Sequence, residues 1–146
     1  MSDSRIVRLF ISHSWDHDED YIGLVKLLRK ISLFDFYNYS VPEQDPLEAV
    51  SDKELMQELC EQLRGCQVLL VIASMYPSYS EWIQKEVLIA RVYGKPVIGV
   101  IPKGQKRISS FVKEYSDAMV HWNSRSLAKV IIKLVDENKR KKPKTD

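Results

Sequence analysis

Residues 66–73 (CQVLLVIA) limit the fold more than any other stretch, because they are apolar at nearly every position. A strand with one wet face alternates apolar and polar residues. An unbroken apolar run is what a strand buried on both faces requires, and such strands lie at the centre of parallel sheets. Residues 96–101 (PVIGVI) have the same character. Residues 6–12 (IVRLFIS) form a third run that stops at polar residues, and residues 16–31 follow it with Tyr21, Val25, Leu28 and Ile31 at helical spacing.

The rest of the chain continues this alternation. Residues 34–39 are a second strand, and residues 40–50, interrupted by Pro42 and Pro46, are a loop. Ser51 and Glu54 have the capping-box spacing, and Leu55, Leu59 and Leu63 supply the buried stripe of a helix over 52–64 that Gly65 closes. A helix over 80–93 ends at Gly94, with Pro96 just beyond; a short fifth strand covers 117–121, and a closing helix 124–135. Strands alternating with helices predict a flavodoxin-like α/β fold: five parallel strands in the order 2-1-3-4-5, with helices on both faces. In such a sheet ligands bind at the carboxyl ends of the strands where the winding direction switches. Here that is between strands one and three, at residues 12–16 and 74–81.

The 146 residues suit one domain, expected over 1–138, followed by a basic tail at 139–146. The tail carries five of the 22 basic residues, so the body before it is slightly acidic despite a net charge of +2. That balance argues against a nucleic-acid binder, which needs a basic face on the domain itself. Cys60 and Cys66 lack any partner motif and are expected as core thiols in a reducing compartment. Neither an apolar leader nor a run long enough to cross a bilayer is present, so a cytoplasmic protein without membrane partners is expected.

The chain lacks both GxxxxGK[ST] and GxGxxG, which excludes the phosphate-cradling loops of ATPases and Rossmann enzymes. A phosphoacceptor receiver needs an aspartate where strand three ends, and Ala73 and Ser74 stand there. The carboxylates Asp16, Asp18, Glu19 and Asp20 crowd the first turn of a helix, where the macrodipole favours them; without a bend glycine or a distal acid they do not form a calcium loop. What remains at the crevice is Ser12, His13, Ser14, Trp15 and Asp16 on one side, and Ser74, Tyr76, Ser78 and Ser80 on the other, with Trp82 and Glu86 on the following helix. On a helical wheel Ile83, Val87 and Ala90 face the core and Glu86 lies on the flank of that stripe, in line with Trp82, so a partly desolvated carboxylate is expected. Helical spacing alone equally allows a surface acid paired with a lysine or arginine.

The segments FISHSWD (10–16), LLVIASMYPSYSEWIQKE (69–86) and GKPVIGVI (94–101) resemble the signatures of the Toll/interleukin-1 receptor (TIR) domain superfamily. With the loop YSVPEQDPLE (39–48), the opening is similar to the TIR-like branch found in ThsB of bacterial Thoeris anti-phage defence. This resemblance implies an NAD+ glycohydrolase or ADP-ribosyl cyclase-like enzyme using a glutamate in a W-x-x-x-E pattern, here Trp82 and Glu86. It makes Glu86 the catalytic residue and Phe10, Ser12, His13, Ser14, Asp16, Asp45, Ser74 and Trp82 the substrate-binding set, with NAD+ as substrate and neither cofactor nor metal. Trp82 has two open roles, a ring face for the pyridinium or a core aromatic, and His13 is equally a satisfied loop histidine. The resemblance further implies self-association of TIR domains, a phage-derived trigger, and coupling to a separate effector through a diffusible, cyclic ADP-ribose-derived nucleotide. A non-catalytic interaction module and a TIR that only depletes NAD remain as alternatives.

Overall fold

The computed structural model describes residues 5–12, 18–39, 52–74, 80–105 and 107–141. In chain order the elements are β1 (Ile6–Ser12), α1 (Asp18–Arg29), β2 (Asp35–Asn38), α2 (Asp52–Gly65), β3 (Val68–Ile72), α3 (Ser80–Val92), β4 (Val97–Ile101), α4 (Ser110–Tyr115), β5 (Ala118–His121) and α5 (Ser124–Lys141). All four strand pairings are parallel and the order is β2-β1-β3-β4-β5, as the alternation predicts. Every residue of β3 and of β4 is buried, which is why neither run tolerates a polar position.

The pleat sorts side chains onto two faces. Val7, Leu9 and Ile11 of β1, with Val68, Leu70 and Ile72 of β3, pack under Leu24 and Leu28 of α1 and under Leu127, Ile131 and Val135 of α5. The intervening residues Phe10, Leu69, Val71 and Ala73 face the other way, under Leu59 and Leu63 of α2, Ile83, Val87 and Ala90 of α3, and Val112 of α4. Each fully buried Leu, Ile or Phe contributes about 1.5–3 kcal/mol, so the two apolar layers hold the sheet between the helices. Gly99 in β4 is required by space: a Cβ there would run into Met119 Sδ on β5 and meet Val112 Cγ1 at 3.0 Å.

Helix ends follow their local chemistry. Gly94 takes φ +70° and lets Lys95 N–H reach back to Ala90 O at 2.9 Å, closing α3 with the six-to-one bond of a left-handed cap. Asn123 caps α5, its Oδ1 accepting from Ser126 N–H at 2.9 Å.

The structure departs from the sequence reading at several places, and α1 ends at Arg29 and not at residue 31. The helix α4 was not expected; Ser109 caps it by accepting from Val112 N–H at 3.3 Å, but six residues are too few to display a helical period. Helix α5 runs to Lys141 and not to Val135, because its amphipathic pattern continues on polar residues after the apolar stripe stops, and residues 139–141, assigned by charge to a tail, are its last turn. The strands start or end a residue or two inside the apolar runs at β2, β3, β4 and β5. Ser51, the loop at 40–50 and residues 142–146 lie outside the described residues.

Both cysteines are free, with Cys66 buried and donating to Leu63 O at 3.2 Å. Burial pushes its thiol up to about 11, so at neutral pH it is an unreactive filler of the core. Among the described residues no helix is long and apolar enough to cross a membrane.

Candidate functional site

Among the described residues the buried polar or charged side chains are Ser12, Ser74 and Glu86. All three gather where β1 and β3 end, and a buried polar group that costs desolvation needs a partner. In β1 the alternation that sends Ile11 towards α1 and α5 sends Phe10 and Ser12 towards α3. There the Ser12 hydroxyl donates to Glu86 Oε1 at 2.5 Å. Glu86 is 3% exposed; it is fully enclosed, and not partly desolvated at the flank of the stripe as its wheel position predicts. The difference comes from the sheet, since Ser12 ends β1 on the face under α3 and gives the enclosed carboxylate a buried donor.

Glu86 has a second donor in Trp82, one helical turn earlier, whose side chain hydrogen-bonds to it. Burial pushes the Glu86 carboxyl up to about 8, against the opposing pull of the hydrogen bonds from Ser12 and Trp82. Among the described residues no cation pairs with it: the ion pairs are Arg5 with Asp136 and Arg91 with Asp117, both away from this crevice. The alternative of a surface acid paired with a basic side chain is thereby excluded.

Ser74 stands just past the end of β3, where it forms an isolated antiparallel bridge with Ile108. By the same alternation it follows Ile72 to the face covered by α1, and its hydroxyl donates to Asp20 Oδ2 at 3.2 Å. Asp20 is a residue that sequence reasoning treated only as a first-turn carboxylate. The pleat would have found it: a serine on the Ile72 side of β3 must look towards α1.

Of the other residues predicted for the site, Trp82 is partly buried against the α2–α3 layer, as a core aromatic is, and its side chain also hydrogen-bonds to Glu86. Phe10 is completely buried in that same layer, beneath the Ser12–Glu86 pair. His13, Ser14, Asp16 and Asp45 lie outside the described residues, as do Trp15, Tyr76 and Ser78. The structure also has a cleft of about 170 Å³ at the opposite, amino ends of the strands, lined by Arg91, Lys95, Asp117 and Glu137 among others. It touches none of the three buried polar groups.

The arrangement suits charge chemistry. A buried carboxylate held by two donors offsets a developing positive charge more effectively than one in water, because the surrounding dipoles are already oriented.

No curated protein matches the chain. Among solved structures, the CMP N-glycosidase BcmB of Clostridium botulinum is similar with a TM-score of 0.51 and 11% identity, covering 86% of this chain and 98% of that one. A 3-dehydroquinate dehydratase-like protein from Bifidobacterium longum has a TM-score of 0.46 and 7% identity, over 91% of this chain and 97% of that one. The likeness to the first of these speaks to the α/β fold alone. The family model of the TIR-like domain of Thoeris protein ThsB matches residues 10–107, which include the end of β1 with Ser12, and Ser74, Trp82 and Glu86. The chain therefore belongs to the TIR-like domain family of Thoeris ThsB.

Proposed function

We propose that this domain cleaves NAD+ at the nicotinamide–ribose bond and passes the ADP-ribosyl group into a small, cyclic ADP-ribose-derived signal that activates a separate defence effector. The observation that carries this reading is Glu86, a buried carboxyl held by Ser12 and Trp82 at the switch point of a Thoeris TIR-like domain. Breaking the C1′–N bond sends its electron pair to the pyridinium nitrogen, so nicotinamide leaves neutral and the ribose carbon becomes cationic. A fixed carboxylate stabilises that oxocarbenium character, as in glycoside hydrolysis.

The environment of Glu86 makes this stabilisation selective for the reaction. With its carboxyl at about 8, the free enzyme holds the group largely protonated at neutral pH. An entering pyridinium favours its ionised form, so the full charge is present only when a cation needs it. The fold itself is compatible with N-glycosidic chemistry, since the similar protein from Clostridium botulinum is a CMP N-glycosidase.

Nucleotide mass spectrometry on infected cells expressing wild type or Glu86→Gln tests the proposal. The substitution keeps the shape and removes the charge, and nicotinamide release with its ADP-ribose-type product should fall by about 10²–10³-fold. A product at wild-type level in Glu86→Gln removes Glu86 from this role and favours a domain that only recruits partners.

A further inference from the structure

The sheet ends in two serine–carboxylate pairs, one on each face. Ser12 faces α3 and donates to Glu86, while Ser74 faces α1 and donates to Asp20. Because β1 and β3 are neighbours, with Ser12 in register with Val71 three residues before Ser74, the two pairs stand at the carboxyl ends of adjacent strands, on opposite faces of the sheet. Their settings differ. Glu86 is enclosed, whereas Asp20 is only partly buried on the first turn of α1. Asp20 accepts from Ser74 through Oδ2, and a carboxylate has a second oxygen with which to accept another donor.

We propose that Asp20, fixed by Ser74, is the general base that takes the proton from the hydroxyl attacking the ribosyl carbon, on the side of the crevice opposite Glu86. The proposal rests on the cleavage reading above and assigns the half of the reaction that Glu86 does not perform. The C1′–N bond breaks and nicotinamide takes its electron pair. The oxygen of water or of a nucleotide hydroxyl then bonds to C1′ and its proton passes to Asp20, which returns it to solvent. Glycoside hydrolysis likewise divides its work between two carboxyl groups, one of which activates the attacking water.

A test that separates chemistry from scaffolding uses azide, an anion that attacks C1′ without a proton to lose. In extracts of infected cells expressing the full chain and supplied with NAD+, Asp20→Asn should slow product formation by about 100-fold. Ser74→Ala should slow it less, by loosening Asp20. Azide should restore nicotinamide release at least about tenfold in both variants, with a ribosyl azide as product, and leave Glu86→Gln unrescued. An Asp20→Asn variant as active as wild type overturns the assignment, as does one whose loss azide leaves unchanged with no adduct formed, because Asp20 then only anchors α1 to the sheet. Either result leaves the reading of Glu86 standing. Wild-type extracts that release no nicotinamide overturn that reading, and the role of Asp20 falls with it.

Discussion

Glu86 sits where an ionised carboxylate is costly, and among the described residues only the hydrogen bonds from Ser12 and Trp82 compensate. Its carboxyl is pushed up to about 8 by burial, and Ser12 and Trp82 hold it below where burial alone would put it. If the ionised form stabilises the cationic ribose, kcat/KM for nicotinamide release should climb about tenfold per pH unit below 8 and level off above it, since this ratio reports the free enzyme. Ser12→Ala removes one of the two donors, so its limb should move to higher pH while its plateau falls. A stopped assay for nicotinamide between pH 6 and 9 measures both. A profile that is flat across that range is incompatible with an ionised Glu86 in the rate-determining step.

At the scale of the element, much of the architecture was legible because burial on both faces leaves an unmistakable trace. The runs at 66–73 and 96–101 located β3 and β4, and the alternation around them gave the strand order. What stayed hidden depended on fewer residues or on three dimensions. Helix α4 has too few turns for a period, and the end of α5 lies beyond its last apolar position. Glu86 was placed correctly on α3 but its complete enclosure follows from Ser12, 74 residues away in the chain. Asp20 was visible only as a dipole partner because its contact with Ser74 is set by the pleat of a different strand. The helices should differ in tolerance accordingly. Ile131 of α5 is fully buried and Val92 of α3 is 82% exposed. Ile131→Ala should cost about 2–5 kcal/mol in urea unfolding, and Val92→Ala should stay within about 0.5 kcal/mol. Equal losses would mean that α5 does not carry the packing assigned to it.

For the whole molecule, the site is a load on stability whose size depends on pH. The carboxyl of Glu86 lies at about 8 when folded, against an ordinary value of 4.5. Between those values the folded chain binds a proton that the unfolded chain has released, so this group's contribution falls as pH rises through the window and is lowest above 8. Each unit of that difference is worth about 1.4 kcal/mol, which makes the load a sizeable fraction of the roughly 5–15 kcal/mol that holds a domain together. Glu86→Gln keeps a neutral group at all pH values. Its melting temperature should therefore exceed that of the wild type at pH 8.5, by roughly 3 °C for each kcal/mol relieved, with the gap closing towards pH 5, where the wild-type carboxyl is itself neutral. Among the described residues, Asp136 is perturbed in the opposite sense: lowered chiefly by its hydrogen bond with Arg5, it lies near the surface and its pair adds little. Thermal unfolding of the two proteins across this range measures the difference directly. A gap that does not change with pH, or a wild type more stable at pH 8.5, would show that the enclosed carboxylate is matched by partners beyond Ser12 and Trp82. Taken with a loss of nicotinamide release in the same variant, a gap that widens with pH would mean that the group which makes the site reactive is the one the fold is least suited to hold charged.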